Sequence, residues 1–315
     1  MATVREHALS QNIPKRNKLK KIWRDKYLYI MLIPVMAYYL IFCYAPMYGV
    51  TIAFQDYNMF AGVLGSEWVG LENFQRIFST GDFYIVLRNT LVLNLLSLIF
   101  GFPGPIIIAL LLNELRMNKF KRVIQTIIYL PHFLSWVVVA SILIPMLSPS
   151  TGIVNQLIEQ MGMEPIYFMS DNGWWMTMYI LSGIWKSVGW GAIVYLAALS
   201  GVDPSLYEAA VIDGANKWKQ CIHVTIPSIL PTITVLLILN VGQIMSIGFD
   251  QPFLLGNTAV QGVSDVISTY VYRIGMLSAD ISRSTAIGLF QSLVNFVILL
   301  GTNKLSKKIT GNSIY

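Results

Sequence analysis

The chain has 315 residues, of which 55% are apolar and only 12% are charged, whereas about 25% is usual in soluble proteins. With a mean hydropathy of +0.59, this composition excludes an ordinary soluble globule and predicts an all-α integral membrane protein. Two cysteines, Cys43 and Cys221, are too few for a disulfide framework, and the net charge is +6.

Six stretches of the chain are apolar enough to cross a bilayer, which takes about 20 residues of helix. The first predicted span, residues 27–54, contains no Asp, Glu, Lys or Arg. We expect it to remain as an anchor, because a cleavable signal peptide would have a shorter apolar region. The other five are predicted at residues 83–113, 123–147, 175–200, 228–249 and 284–303.

Basic residues cluster in the segments that would lie on one side of these spans. Seventeen of the 22 Lys and Arg residues fall in the amino-terminal tail, the connections after the second and fourth spans, and the carboxyl terminus. Since positive loops stay in the cytoplasm, both termini are predicted to be cytoplasmic. The predicted organisation is a basic tail at 1–26, a six-span domain at 27–305 and a short tail at 306–315. A nucleic-acid surface is the weaker interpretation, because no basic stripe with interleaved aromatic residues remains.

The connection between the fourth and fifth predicted spans is too polar to span a membrane and carries strong helix signals. Asp203 is a candidate N-cap and Pro204 suits the first helical position. Ser205 and Glu208 have the spacing of a capping box. The helix is predicted to end at Gly214, where glycine turns the chain without a β-carbon penalty.

A second short helix is predicted from near Asn216 to near Pro227, which completes a segment at residues 203–227. Two short helices hinged at a glycine make a compact knob that suits a groove on another protein. The alternative is a self-packed loop with no partner.

The knob carries a motif that resembles the EAA-x3-G-x9-I-x-L-P signature of permease subunits in type I ATP-binding-cassette importers. The residues that match it in order and spacing are Glu208, Ala209, Ala210, Gly214 and Pro227. Val224 and Ile226 stand where the signature usually has Ile and Leu, and both keep an apolar side chain. Further stretches resemble the carbohydrate-uptake branch, closest to permeases for oligosaccharides and polysaccharide fragments such as alginate and pectin fragments: VGLENFQRIF at 69–78, RNTL at 88–91, YLPHFLSW at 129–136 and IWKSVGWGAIVYLAALSGVDPSLYEAAVIDGA at 184–215.

The resemblance implies the type I importer permease fold, a location in the bacterial cytoplasmic membrane, and a set of partners. These partners are a second homologous permease, a pair of cytoplasmic ATPase subunits, and an extracellular solute-binding lipoprotein that delivers an oligosaccharide. The resemblance also implies that the helix before the glycine is a coupling helix docked on an ATPase subunit. The residues expected to carry this coupling are Glu208, Ala209, Ala210, Asp213, Gly214 and Pro227.

The chain lacks the residue patterns of a hydrolytic enzyme. It has no G-x-x-x-x-G-K-[ST] phosphate loop, so ATP and Mg²⁺ are expected on the partner ATPase subunits. No cofactor or metal is expected in this chain, because its histidines form no H-E-x-x-H motif. His223 is interpreted as a surface residue of the knob.

Polar and aromatic residues within the spans are candidates for a sugar path, because intramembrane polar side chains usually face the bundle interior or a water-filled cavity. Aromatic faces stack on sugar rings, and amides offer donors and acceptors to hydroxyl groups. For each candidate, a contact between helices is an open alternative. The candidates are Asn94, Trp185, Lys186, Trp190, Tyr195, Asn240, Gln243 and Gln291.

Lys186 lies inside the fourth predicted span. A cation near mid-span costs about 2.5 to 3.5 kcal/mol on insertion scales, so it needs a role or a partner. One hypothesis is that Lys186 faces the path and holds an anionic sugar such as a uronate. The alternative is that it snorkels or pairs with a carboxylate, either Asp171 or an acidic residue of a partner subunit.

Two other functions stay open. One is an importer permease for a non-sugar solute such as an amino acid, phosphate or peptide, and the other is a stand-alone secondary carrier or channel. Ion-coupled carriers tend to keep acidic residues within their spans, whereas the six predicted spans contain no Asp or Glu.

Overall fold

The computed structural model describes residues 23, 25–115 and 117–310. Most of the predicted basic tail at 1–26, and the end of the predicted tail at 306–315, lie outside the described residues. By internal contacts the chain divides into two units, Met1–Thr51 and Ile52–Tyr315.

Five helices in the described part are long and apolar enough to cross a membrane, and a bent helix pair makes six if it forms one span. The mostly helical architecture predicted from composition is confirmed. We number the segments in chain order, with the bent pair as S3: S1 Lys26–Phe54, S2 Gly81–Glu114, S3 Asn118–Phe133 with Trp136–Met146, S4 Asn172–Ser200, S5 Lys217–Gly242 and S6 Ile281–Lys308.

Several segments change helix type along their length. S1 is α-helical at Lys26–Tyr38, a π-helix at Tyr39–Tyr44 and a 3-10 helix at Ala45–Phe54. S2 is α-helical at Gly81–Leu96 and Pro103–Glu114, with a π turn at Ser97–Gly101 between them. Within S5, a π turn at Cys221–Thr225 joins the short helix Lys217–Gln220 to the helix Ile226–Gly242.

Short elements connect the segments. Strands Gln55–Asp56 and Glu67–Trp68 pair antiparallel, with Gln55 opposite Trp68. The short helices are Gly62–Gly65, Glu72–Ser79, Ile153–Gln160, Pro204–Ile212, Asp250–Leu255, Gln261–Ser264 and Ile267–Tyr272.

S4 is the central helix of the second unit and packs along S2, S3 and S5. Its amino-terminal half buries Trp175, whose indole N–H donates to the Leu255 carbonyl at 2.8 Å. Its other half buries Ala192 and Tyr195 against S2 and S5. S4 is therefore fixed against neighbours on several sides.

The third predicted span is not one straight helix. Residues 123–147 were expected to form a single span, but the helices Asn118–Phe133 and Trp136–Met146 meet at a bend of 96°. Pro131 lacks an N–H group, so the helix cannot continue its hydrogen-bond pattern there. Leu134 and Ser135 are extended, and the Ser135 hydroxyl then caps the next helix by accepting from the Val138 N–H at 3.3 Å.

The fifth predicted span is shifted along the chain. It was expected at 228–249, after a separate helix ending near Pro227, but the helix is continuous from Lys217 to Gly242. Pro227 lies in the first turn of the section that follows the π turn, where a missing N–H is tolerated. Residues 243–249 leave the helix, and side chains of S6 bind their backbone: Asn295 Oδ1 accepts from the Met245 N–H at 3.1 Å.

A tight contact between S3 and S4 at Gly189 gives a prediction of stability. A β-carbon on Gly189 would lie 2.1 Å from the Ile128 carbonyl oxygen, so Gly189→Ala has to push the two backbones apart. We expect a loss of about 1 to 3 kcal/mol, as for other overpacked sites, visible as a lower thermal unfolding midpoint in detergent. Gly288→Ala is the control, because a β-carbon there meets nothing within 4 Å; equal midpoints for the two variants would contradict the prediction.

Candidate functional site

A cavity of about 560 Å³ lies among S2, S3, S4, S5 and the helix Asp250–Leu255. We call it the central cavity. Aromatic rings, amide side chains and one ammonium group contribute to its wall. The polar and aromatic residues of the wall include Asn94, His132, Trp136, Lys186, Trp190, Tyr195, Asn240 and Gln251.

Five of the eight sequence-predicted path residues line the central cavity. Lys186, Trp190 and Tyr195 come from S4, and Lys186 and Trp190, four residues apart, share one face of that helix. Asn94 and Asn240 reach the cavity from S2 and S5. The structure therefore brings residues from three separate predicted spans to one place.

The other three predicted path residues lie outside the central cavity. Trp185 precedes Lys186 and so points about 100° away around S4, where it is 49% exposed. Gln243 caps the end of S5, with its N–H donating to the Asn240 carbonyl. Gln291 on S6 donates to the Met245 carbonyl at 2.7 Å and to the Ser246 hydroxyl at 3.2 Å. Gln291 thus makes the contact between helices that was left open as its alternative.

Lys186 projects toward the break in S3. Its Nζ donates to the His132 carbonyl oxygen at 2.9 Å and lies 5.6 Å from the centre of the Trp136 ring. The alternative pairing with Asp171 is not formed, because Asp171 caps S4 and accepts from two backbone N–H groups at 2.9 Å. The two residues are 15 positions apart on one helix, or about 22 Å.

His132 was missed as a cavity residue by the sequence analysis. Its ring stacks on Trp190, with the centres 4.5 Å apart and the planes 2° from parallel, and Phe133 meets Trp190 edge-on. The signal in the sequence is the pair Pro131-His132, because a proline inside an apolar stretch marks a break that turns the chain. The stack closes one wall of the cavity.

Gln251 was also missed, because it follows the predicted end of the fifth span. Its Nε2 donates to the Tyr179 carbonyl at 2.7 Å. Asn94 Nδ2 donates likewise to the Ile244 carbonyl at 2.6 Å, and Asn240 Nδ2 to the Leu236 carbonyl at 2.8 Å. In all three amides the nitrogen donates to a backbone carbonyl, and the oxygen accepts no hydrogen bond from the described residues. The cavity thus offers acceptors to hydroxyl groups and aromatic faces for stacking.

The second candidate site is the knob between S4 and S5. Its helix runs from Pro204 to Ile212, with the Asp203 carboxylate accepting from the Ser205 N–H at 2.9 Å as the N-cap. The predicted helix start is confirmed, although Ser205 does not act as the cap. Gly214 follows with a φ of +75°, the left-handed conformation that favours glycine.

Within the knob, side-chain hydrogen bonds hold the helix Pro204–Ile212 and the turn after it to the start of S5. The Tyr207 hydroxyl donates to Thr225 Oγ1 at 3.1 Å, and Gln220 Nε2 donates to the Ala215 carbonyl at 2.9 Å. His223 is exposed as interpreted, and its Nδ1 lies 3.0 Å from the Lys219 carbonyl oxygen. These contacts fix the inner side of the knob.

The outer side of the knob presents groups without partners. The carboxylates of Glu208 and Asp213 are exposed and make no hydrogen bond or ion pair with the described residues. Val211, Ile212 and Trp218 are 61%, 85% and 71% exposed. Apolar side chains flanked by unpaired carboxylates suit a protein surface that has its own apolar groove and basic or polar groups.

Comparison with known proteins relates the chain to membrane transport. Residues 101–311 match the family described as binding-protein-dependent transport system inner membrane component. The chain is 46% identical over 301 residues to the polygalacturonan/rhamnogalacturonan transport system permease protein YteP of Bacillus subtilis (strain 168), covering 96% of this chain and 94% of that protein. It is 47% identical over 292 residues to protein LplB of the same organism, covering 93% and 92%.

A solved structure is also similar. A chain of a bacterial alginate ABC transporter, crystallised in complex with an alginate pentasaccharide-bound periplasmic protein, superposes with a TM-score of 0.85. The two chains are 42% identical, and the match covers 94% of this chain and 99% of the other.

The N-cap of the knob gives a prediction about pH. Hydrogen bonds from Ser205 lower the pKa of the Asp203 carboxyl, so the cap stabilises the helix above the ordinary aspartate range and is lost as pH falls through the lowered pKa. At neutral pH, Asp203→Ala should speed amide hydrogen exchange in residues 205–212, while Asp203→Asn should preserve most of the protection. Protection in the asparagine variant should also lack the acid transition, and an identical transition in parent and Asp203→Asn would contradict the assignment.

Proposed function

The chain belongs to the family of binding-protein-dependent transport system inner membrane components, and on that premise we propose that it is the permease subunit of an ATP-driven oligosaccharide importer. We infer the substrate class, oligosaccharides, from the lining of the central cavity. Stacking rings and amide oxygens match the faces and hydroxyl groups of sugar rings. Relatives named for polygalacturonan/rhamnogalacturonan and alginate transport support the same class.

The proposed assembly has further subunits that this chain lacks. It contains a second homologous permease that forms the other half of the path, and a pair of cytoplasmic ABC ATPase subunits that bind ATP and Mg²⁺. An extracellular solute-binding lipoprotein delivers the sugar. The periplasmic protein in the complex of the related alginate transporter supports this last partner.

Both termini and the knob are on the cytoplasmic side in this proposal. The positive-inside distribution of Lys and Arg supports that orientation. A contact between the connections that follow S2 and S4 supports it as well. Lys217 Nζ, at the start of S5, lies 3.4 Å from the Glu114 carboxylate at the end of S2. These two helix ends therefore share one side of the membrane.

The attachment of the knob to S5 suggests how ATP hydrolysis is coupled to transport. Closure of the ATPase dimer on ATP moves the knob, and S5 carries that motion because its helix is continuous from the knob to the cavity residue Asn240. Glu208 and Asp213 supply carboxylates to the ATPase groove, and the small side chains of Ala209 and Ala210 permit close approach. Gly214 sets the angle between the helices, and Pro227 lies where S5 resumes its α-helical form.

The proposed function predicts that transport depends on ATP. Proteoliposomes containing the complete importer should accumulate an oligosaccharide such as trigalacturonate only with ATP on the ATPase side and the solute-binding protein on the other. A proton or sodium gradient alone should produce no accumulation. Gradient-driven accumulation without ATP would instead identify a secondary carrier, and ATP-driven uptake restricted to an amino acid, phosphate or peptide would identify an importer of another solute.

The coupling role predicts that the knob can be disabled without loss of membrane insertion. Glu208→Lys reverses the charge offered to the ATPase, and Gly214→Pro imposes a φ near −65° where the chain needs +75°. Each change should lower uptake and substrate-stimulated ATP hydrolysis at least about tenfold, the effect of losing one buried charged contact.

The control for Glu208→Lys is Glu159→Lys, which makes the same change at an exposed glutamate in the helix Ile153–Gln160. This variant should transport as the parent does. Normal stimulated hydrolysis in Glu208→Lys or Gly214→Pro would contradict docking through the knob.

A further inference from the structure

Among the described residues, the wall of the central cavity carries one fixed positive charge and no negative one. Of these residues, Lys186 is the only Lys or Arg that lines it, and no Asp or Glu does. None of the ion pairs among the described residues includes Lys186. The charge of this ammonium group is therefore uncompensated by the described part of the chain.

Lys186 lies at the middle of S4, so its ammonium group is far from both membrane surfaces. It is the fifteenth of the 29 residues of S4, so each end of the helix is about 21 Å away. A lysine side chain is far too short to carry its ammonium group to either membrane surface. Snorkelling, which was one alternative for this residue, does not fit a lysine at the middle of its helix.

The ammonium group of Lys186 has N–H donors that the described residues do not use. An ammonium group has three N–H donors, and one is used by the His132 carbonyl at 2.9 Å. The Trp136 ring, 5.6 Å away, attracts the positive charge without accepting a conventional hydrogen bond. The two remaining donors have no acceptor among the described residues, and the group stands at the wall of a cavity.

The amide groups of the cavity carry no charge to offer an anion. The amide nitrogens of Asn94, Asn240 and Gln251 each donate to a backbone carbonyl, and their oxygen atoms accept no hydrogen bond from the described residues. Amide oxygens accept from sugar hydroxyl groups and repel a carboxylate. Among the described residues of the wall, Lys186 therefore supplies the one ammonium or guanidinium group that can pair with a carboxylate.

We propose that Lys186 is the specificity-determining residue of the path and selects oligosaccharides that carry carboxylates, such as uronate chains, over neutral ones. This inference rests on the proposed function and adds the charge of the substrate to it. The carboxylate of a uronate unit accepts the free N–H donors of Lys186, and its hydroxyl groups donate to the amide oxygens. Trp190, one turn along the same face of S4, offers a ring within the same wall.

The test compares two sugars of one size in proteoliposomes of the complete importer. Trigalacturonate carries three carboxylates, and its fully methyl-esterified form carries none. The measured quantity is the ratio of their ATP-driven uptake rates in each variant divided by the ratio in the parent. Because the same solute-binding protein serves parent and variants, its own preference cancels.

Lys186→Met should lower this ratio about tenfold, the lower range for loss of a charge-assisted hydrogen bond. Lys186→Arg should keep most of the preference, because it keeps the charge. Lys304→Met, which removes the same charge from an exposed position on S6, should leave the ratio unchanged. In detergent, quenching of tryptophan fluorescence by trigalacturonate should weaken with added salt in the parent and lose that salt dependence in Lys186→Met.

An unchanged ratio in Lys186→Met would overturn the inference while leaving the importer function intact. The same result is expected if Lys186 instead pairs with a carboxylate of the second permease, because its loss would then slow both sugars equally. If the parent importer accumulates neither sugar with ATP present, the proposed oligosaccharide function fails and this inference fails with it.

Discussion

Within a bilayer every backbone N–H and C=O group has to find a partner in the protein, because no water is available to supply one. This constraint governs the places where helices of this chain are interrupted. At the end of S5, Asn94 of S2 binds the Ile244 carbonyl, Gln291 of S6 binds the Met245 carbonyl, and Asn295 accepts from the Met245 N–H. At the break in S3, Lys186 binds the freed His132 carbonyl. At these two interruptions, side chains from neighbouring segments thus bind the freed backbone groups.

The same interactions define the central cavity. A continuous helix fills space along its whole length, whereas a bend of 96° in S3 and the end of S5 at Gly242 leave space beside S4. Two of the side chains that bind the freed backbone groups, Asn94 and Lys186, stand at the edge of that space. Asn94 donates to the backbone through its nitrogen and leaves its oxygen to the wall as an acceptor, whereas Lys186 keeps two N–H donors. The contacts that bind the freed backbone groups therefore also determine part of the chemistry that the cavity offers to a solute.

Much of this fold could be predicted from the sequence because the strongest signals are local. Apolar stretches identified the segments, and Asp203, Pro204 and Gly214 marked the bounds of the knob helix through capping chemistry. The break in S3 was not predicted despite the signal at Pro131, since Leu134 and Ser135 do not interrupt the apolar pattern that a spanning stretch requires. The continuity of S5 through Pro227 was missed because the π turn before it has no simple sequence signature.

The cavity was harder to predict than the fold, because composition does not tell which face of a helix a polar residue occupies. Asn94 and Gln291 have equally polar side chains in apolar stretches, yet one lines the central cavity and the other secures S6 to the backbone after S5. Trp185 and Lys186 are neighbours in sequence but point in different directions around S4. His132 and Gln251 were missed because each lies at an interruption, where a chain leaves its helix and turns toward the interior.

The unbroken course of S5 has a mechanical consequence. A helix of 26 residues is about 39 Å long, so a tilt of about 5° around one end displaces the other end by about 3 Å. That displacement matches the length of a hydrogen bond. A small rotation of S5 is therefore enough to make or break contacts of Asn240 near its far end. Because Asn240 lines the central cavity, such a rotation changes which groups the cavity offers to a solute.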